Sequence, residues 1–305
     1  MSRADGNVHL PAGIKKGTGM SGIDWNRLWK DQYVDIERGE NLEFWNNFAP
    51  RFRKEPKAGE KDEYIEQFYE FSEFRPGETI FDMGCASGSL AIPYAERGHE
   101  IYAADFSPEM LKYLMIGAEE HGVADKIHPI QLNWNEDWSK RDLPVCDVAI
   151  SSRSFIVYDL TEGIKKLESV ARRRVCIGAW DTPRPNYDRI LAREVGYERP
   201  GYGCYVYVMN ELMDRDLLPD LRFIKSRFRC TSFPNKEAAV LAFENSMNYG
   251  KEGGLTEEQH DKMLKYCDEH LMSFEKNGEE MWKLDHEELS TVAHISWNKE
   301  LFSDL

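Results

Sequence analysis

The stretch Thr79-Ile80-Phe81-Asp82-Met83-Gly84-Cys85-Ala86-Ser87-Gly88-Ser89 constrains this chain more than any other. It reads as a short buried strand, a tight turn of small residues, and the start of a helix. Such a turn lets a ligand approach the backbone closely, because few side chains stand in the way. The acid just before the first glycine then decides which ligand the turn suits.

Two cofactor classes use a turn of this kind, dinucleotides and S-adenosylmethionine. The dinucleotide form needs G-x-G-x-x-G with a pyrophosphate resting on the helix N-terminus. Here the glycines are Gly84 and Gly88 with Ala86 between them, so the spacing does not fit. Asp82 would also repel a pyrophosphate. Its carboxylate suits a cationic ligand, and S-adenosylmethionine carries a sulfonium and an ammonium.

The flanking residues extend the pattern. Leu90 to Arg97 reads as a helix closed by Gly98. Glu100 to Asp105 reads as a second strand ending in an acid, at the spacing that delivers a carboxylate to a ribose diol. Ser107-Pro108-Glu109 is a helix start, with Ser as N-cap, Pro in the first helical position and an acid in the first turn. Leu111, Leu114, Met115 and Ala118 then share a helical face.

The run FDMGCASGSLAIPYAERGHEIYAADFSPEML resembles the class I S-adenosylmethionine-dependent methyltransferases, small-molecule type, most strongly from about Tyr64 to Trp180. Ala86 stands where the family pattern has glycine. The resemblance implies that Asp82, Gly84, Ala86 and Gly88 line the methionine end of the cofactor, with Cys85 among the cofactor-binding residues. It implies that Asp105 takes both ribose hydroxyls and that Phe106 and Met110 flank the adenine. Asn133, after the third strand, matches the family position for the adenine amine; a turn-forming role is the alternative. Trp134 packs at the adenine edge or on a helix surface. Ser151, at the end of the fourth strand, faces the reacting end.

The resemblance also implies a Rossmann-like α/β fold, a seven-stranded and mostly parallel sheet of order 3-2-1-4-5-7-6. A helical N-terminal extension and an insertion after the fifth strand would cover the cofactor end. In this reading 1–22 is a flexible tail, 23–60 a helical lid, and 61–305 the methyltransferase domain with a lid-like insertion at 183–217. Trp25, Leu28, Trp29 and Tyr33, then Phe44, Trp45, Phe48 and Phe52, have helical spacing and predict two amphipathic helices. Trp29, Tyr33 and Trp45 are the lid candidates, with core packing the alternative.

Further along, Lys126 to Leu132 predicts the third strand, Val145 to Ile150 the fourth and Arg174 to Trp180 the fifth. Thr161 is the expected N-cap of the helix between the last two. Arg172-Arg173-Arg174, the one dense basic cluster, is placed where that helix ends, solvated and complementing its dipole. Leu221 to Phe233 predicts a strand, Asn235 to Ser246 and Thr256 to Phe274 helices, the latter with a Thr256–Gln259 capping box, and Thr291 to Trp297 the last strand.

Ligands in open α/β sheets sit beyond the carboxyl ends of the strands. Arg153, just past the fourth strand, either anchors an anionic substrate or braces a loop. Tyr158 and Tyr202, the latter in a Tyr-rich stretch, are the other acceptor-side candidates. Methyl transfer from a sulfonium needs mainly alignment and exclusion of water, so no catalytic residue is named. None of His9, His99, His121, His128, His260, His270, His286 or His294 falls at a strand end beside the turn.

Composition narrows the partners. The net charge is −15 with a pI near 5.1, which argues against a surface that tracks phosphate backbones. The [DNS]-P-P-[YFW] pattern of enzymes acting on nucleobase amines is missing after the fourth strand. The cysteines lack zinc or disulfide spacing, so no metal is expected and a reducing cytoplasm fits. No apolar run reaches membrane-spanning length. The expected activity is methyl transfer to a small molecule, with S-adenosylhomocysteine as product. A non-catalytic S-adenosylmethionine-binding or sensor protein and a nicotinamide-dependent oxidoreductase are the alternatives.

Overall fold

The computed structural model describes residues 22–32, 41–52, 62–180, 188–197, 203–226, 232–248, 254–276, 278–286 and 290–299. Alternating strands and helices build a seven-stranded sheet of order β3-β2-β1-β4-β5-β9-β6. Its strands are β1 (Ile80–Met83), β2 (Ile101–Asp105), β3 (Ile127–Gln131), β4 (Cys146–Ser152), β5 (Ala171–Trp180), β6 (Asp220–Ser226) and β9 (Ser290–Asn298). Every pairing from β3 to β5 is parallel, and β9 runs antiparallel to both neighbours. This is the expected Rossmann-like order, with β9 as the seventh strand.

β1 is buried along its whole length because helices cover both faces of the sheet. On one face Phe81, Met83, Ala149 and Val175 meet Trp29 of α1 (Trp25–Gln32), Leu160 of α6 (Leu160–Ser169) and Tyr207 of α8 (Cys204–Met213). On the other, Ile80, Ile101 and Val148 meet Tyr64 and Phe68 of α3 (Glu63–Ser72) and Ala91 of α4 (Ala91–Glu96). The helix α2 (Leu42–Phe52) packs on α5 (Pro108–Glu120). Both predicted N-terminal helices are therefore present. Ser107 caps α5 as expected, its Oγ accepting from the Met110 N–H at 3.1 Å.

Four local expectations are corrected. The N-cap of α6 is Asp159, whose Oδ1 accepts from the Glu162 N–H at 2.9 Å, while the Thr161 hydroxyl donates to Glu211 Oε1. β4 runs two residues further than predicted and takes in Ser151 and Ser152. β5 begins at Ala171, so the arginine cluster lies inside a strand. Arg173 is buried and paired to Glu78 through Nε at 2.6 Å and Nη2 at 2.7 Å, and Arg174 is 1% exposed and bonded to Asn298, Ser296 and Asp220. Only Arg172 is solvated, with Asp147 at 3.2 Å. Finally, the helix from Thr256 stops at His270, and the next residues form a hairpin, β7 (Leu271–Lys276) and β8 (Glu279–Leu284). The Thr256–Gln259 capping box is present.

That hairpin belongs to a lobe with its own core. Leu191 and Val195 of α7 (Arg189–Val195), Phe243 of α9 (Lys236–Asn248) and Met263 and Cys267 of α10 (Glu257–His270) pack together with Phe233, Leu271 and Leu284. The strand register places this lobe. Trp180 at the end of β5 pairs with Val292, and Ser226 at the end of β6 pairs with Ser290, where β9 begins. The chain thus leaves and rejoins the sheet at its carboxyl edge, where β1 also ends. The insertion at 183–217 divides: α7 joins the lobe, whereas α8 packs against α1, α6 and β5.

The described cysteines are buried and none is in a disulfide. No described helix is long and apolar enough to cross a membrane.

Candidate functional site

The turn after β1 is held by its own chain. Gly84 has φ +78°, and a Cβ there would sit 2.3 Å from Ser154 Cβ. Gly88 has φ +90°, and a Cβ there would meet Leu114 Cδ1 at 2.4 Å. Glycine at 84 therefore admits the loop after β4, and glycine at 88 admits the packing of α5. Ala86, where the family pattern has glycine, adopts φ +48° nonetheless. That left-handed conformation costs about 1 kcal/mol for a residue with a side chain.

Four N–H groups of this turn are consumed internally. Those of Gly84 and Cys85 donate to the Ala104 carbonyl at 2.7 and 3.1 Å, and that of Gly88 to the Cys85 carbonyl at 3.0 Å. The Ala86 N–H donates to Asp105 Oδ2 at 2.9 Å. A pyrophosphate turn aims such donors at the ligand. Here they point into the protein, and two buried carboxylates stand beside the turn.

Those carboxylates differ. Burial, and then the Asp105 charge, pushes the Asp82 carboxyl up to about 7. Burial also raises Asp105, but the N–H groups of Ser107, Ala86 and Phe106 oppose it. Asp105 Oδ1 accepts from the Ser107 N–H at 2.9 Å, and the Ser107 hydroxyl donates to Asn46 Oδ1 at 2.6 Å. Asn46 thereby pins α2 over the end of β2. Sequence reasoning missed it, because a single Asn among aromatic residues carries no signal.

The loop after β4 is stitched onto the turn. The Ser154 hydroxyl donates to the Met83 carbonyl at 2.8 Å and lies 2.9 Å from the hydroxyl of Ser151, a fully buried residue. The Trp134 indole N–H donates to the Ser154 carbonyl at 2.9 Å, and its ring stacks on Trp138 with centroids 5.4 Å apart. Asn133 Oδ1 accepts from the Asn135 N–H at 2.8 Å, a local turn bond on the atom proposed for the adenine amine. Phe106 is half-buried, Met110 fully buried and Cys85 buried, with burial pushing its thiol well up.

The acceptor and lid candidates separate. Arg153 follows β4 with φ +59°, and its guanidinium lies 4.2 Å from the centroid of the Tyr64 ring. Tyr64 was not foreseen, although the Asp62 N-cap gives a signal: α3 packs on β6 and β9, and its first turn lies at the carboxyl edge, with the Tyr64 hydroxyl 2.6 Å from Ser152 Oγ. Tyr158 is exposed, with Lys30 Nζ 5.2 Å from its ring centroid. Trp29 is fully buried, its indole N–H donating to the Val157 carbonyl at 2.7 Å, so packing accounts for it. Trp45 is half-buried against Phe44 and Phe48. Tyr33 and Tyr202 lie outside the described residues.

His294 lies within the last strand and is fully buried, and burial depresses it to about 3. Its Nε2 is 3.1 Å from the Ser72 hydroxyl. No cluster of metal-binding side chains occurs among the described residues.

An uncharacterized protein of Haemophilus influenzae is 28% identical over 242 residues, spanning 79% of this chain and 87% of that protein. The ribosomal protein L11 methyltransferase of Vibrio parahaemolyticus is 29% identical over 121 residues, 34% of this chain, and the match spans 40% of that enzyme. The crystal structure of geranyl diphosphate C-methyltransferase from Streptomyces coelicolor aligns over 87% of this chain and 99% of that one, with TM-score 0.46 and 12% identity. Residues 80–173 match the family model of the methyltransferase domain, and with the sheet order this supports a class I methyltransferase.

Proposed function

We propose that this chain transfers the methyl group of S-adenosylmethionine to a small-molecule acceptor and releases S-adenosylhomocysteine. One observation carries the reading: the turn after β1 spends the N–H groups of Gly84, Cys85, Ala86 and Gly88 internally and sets two buried carboxylates, Asp82 and Asp105, beside the space it borders. That arrangement repels a pyrophosphate and fits a ligand with a cationic amino-acid end and a ribose diol.

When bound, the cofactor supplies a methyl group already activated on a sulfonium. Asp82 would offset its positive charge, and Asp105 would accept from the ribose hydroxyls while still holding Ala86 and Ser107. Phe106 and Met110 would border the adenine. The acceptor would lie beyond the carboxyl ends of β4 and β5, with Tyr158 a candidate contact; Tyr202, the other tyrosine candidate, lies outside the described residues. The added lobe rises from that same edge, which favours an enclosed small molecule. The net charge of −15 disfavours a polyanion.

Calorimetric titration of the full chain with S-adenosylhomocysteine and with NADH tests the cofactor. Micromolar binding of the first and none of the second is expected; the reverse would sink the reading. Radiolabelled methyl transfer is then assayed against a small-metabolite pool, ribosomal RNA and ribosomal protein. Label in the metabolite pool supports the acceptor class, and label confined to either macromolecule overturns it.

A further inference from the structure

We propose that a groove between α6 and the β3–β4 crossover binds a small hydroxylated anion of the sugar-phosphate class, at a site separate from the cofactor turn. The proposal stands apart from the S-adenosylmethionine reading and does not need it.

The groove follows from a short crossover. Parallel strands are usually joined through an α-helix. Between β3 and β4, residues 132–145 form only the three-residue 3-10 turn Trp138–Lys140. A cavity of about 360 Å³ lies between that turn and α6. It reaches Val170, whose carbonyl accepts from the Cys146 N–H at 2.9 Å where β4 begins. That is the amino end of the sheet, whereas Asp105 stands at the carboxyl end of β2.

The lining is cationic in a chain of net charge −15. Arg141, Lys165 and Lys166 outnumber Asp137 and Glu162. Both acids already have cations: Glu162 pairs with Lys166 at 2.7 Å, and Asp137 with Lys140, outside the lining, at 2.9 Å. Arg141 holds Glu136 at 2.9 Å through Nη1 and the Gln131 carbonyl at 3.0 Å through Nη2, and its Nε–H has no partner among the described residues. Lys165 has no ion pair among the described residues. An ammonium and a guanidinium N–H lining one groove suit a phosphate.

The serines add a second requirement. Ser139 Oγ donates to Asp137 Oδ1 at 2.6 Å, and Ser169 Oγ to the Lys166 carbonyl at 2.7 Å. Each hydroxyl has spent its one proton, so toward a ligand both can only accept. They match the hydroxyl groups of a ligand rather than a second anionic group. Leu143 and Val170 supply apolar surface for its carbon skeleton. The walls are held before any ligand arrives: Lys166, 12% exposed, donates to the Trp134 carbonyl at 2.7 Å, and Trp138 is buried 6.1 Å from the Phe81 ring. Binding to such a groove loses little to ordering.

The full chain is titrated calorimetrically with ribose 5-phosphate, ribose and inorganic phosphate, with and without saturating S-adenosylhomocysteine. Ribose 5-phosphate should bind one-to-one with a Kd below about 1 mM and at least about tenfold more tightly than either fragment. The presence of S-adenosylhomocysteine should leave that Kd within about 2-fold. Lys165→Glu should weaken ribose 5-phosphate about 10-fold or more, and Lys165→Arg should retain it. Ser169→Ala should weaken ribose 5-phosphate about 3-fold or more without changing inorganic phosphate. Thermal unfolding checks that each variant is folded; both positions are exposed, and Lys165→Arg decides if Lys165→Glu does not fold, since its loss of binding would overturn the site. No binding of ribose 5-phosphate to the wild type overturns the proposal. Displacement by S-adenosylhomocysteine overturns it by placing the ligand in the cofactor site, and equal affinity for inorganic phosphate overturns the ligand class. Unchanged affinity in folded Lys165→Glu places the binding elsewhere and overturns the groove.

Discussion

Asp105 Oδ2 accepts from the Ala86 N–H at 2.9 Å, and Asp105 Oδ1 accepts from the Ser107 N–H at the same distance. One carboxylate therefore ties the turn after β1 to the cap of α5. The residue expected to bind ribose also fixes the shape of the cofactor turn.

Replacing it should show both roles. Asp105→Ala strands the N–H groups of Ala86 and Ser107 and is expected to cost about 3–6 kcal/mol of stability, each lost charged hydrogen bond contributing about 1.5–3. Urea unfolding measures that cost. Affinity for S-adenosylhomocysteine should fall by at least about 30-fold in calorimetry, and an unchanged affinity would remove Asp105 from the ribose site.

Asp82 sets a pH dependence. Its carboxyl lies at about 7 in the folded chain against 3.8 ordinarily. A group whose folded value is raised contributes stability that is full below the unfolded value and is lost as pH rises through about 7. A cationic ligand prefers the ionised form. Cofactor affinity should therefore rise from pH 6 toward 8, by up to about tenfold per unit below 7, with protons released on binding. Calorimetry in two buffers of different ionisation heat reads the release directly. Asp82→Asn should bind weakly at every pH with no such slope.

Gly84→Ala should be destabilising by about 2–4 kcal/mol, since it combines a left-handed backbone with a collision against Ser154. Gly84→Ala paired with Ser154→Gly should recover the part due to collision and not the part due to φ. A thermodynamic cycle from denaturant unfolding separates the two. Full additivity would mean that the contact with Ser154 carries no energy.

Glu78→Gln removes the anionic partner of Arg173, a pair whose side chains are 10% and 8% exposed. Leaving that arginine charged and buried should cost about 3–5 kcal/mol. The pair lies at the amino end of the sheet, so S-adenosylhomocysteine affinity of the folded variant should be unchanged. A large affinity loss would show that the two ends of the sheet are coupled.

What the sequence made legible was whatever depends on local spacing. Ser107-Pro108 announces a helix, and strand–turn–helix with an acid at each strand end announces the cofactor edge. The sheet order followed because that local pattern is tied to one topology. Arg173 and Arg174 were misplaced because a run of arginines looks solvated until its distant partners, Glu78 and Asp220, come into view. The β7–β8 hairpin had a signal that went unused: Asn277-Gly278 between short alternating runs favours a two-residue hairpin loop, and Gly278 has φ +82°. Tyr64 and Asn46 reach the site from elements far away in sequence, where no spacing rule applies.

Ser226 and Ser290 are paired neighbours on adjacent antiparallel strands, yet the described residues between them form two helices and a hairpin. The sheet does not need that excursion in order to close; a short turn would join the same two positions. The lobe is thus an appendage that natural variation can lengthen, shorten or exchange without disturbing the strands that hold Asp82 and Asp105. Relatives that share the donor chemistry are therefore free to diverge in what they methylate, and residues 227–289 are where that divergence is expected to concentrate.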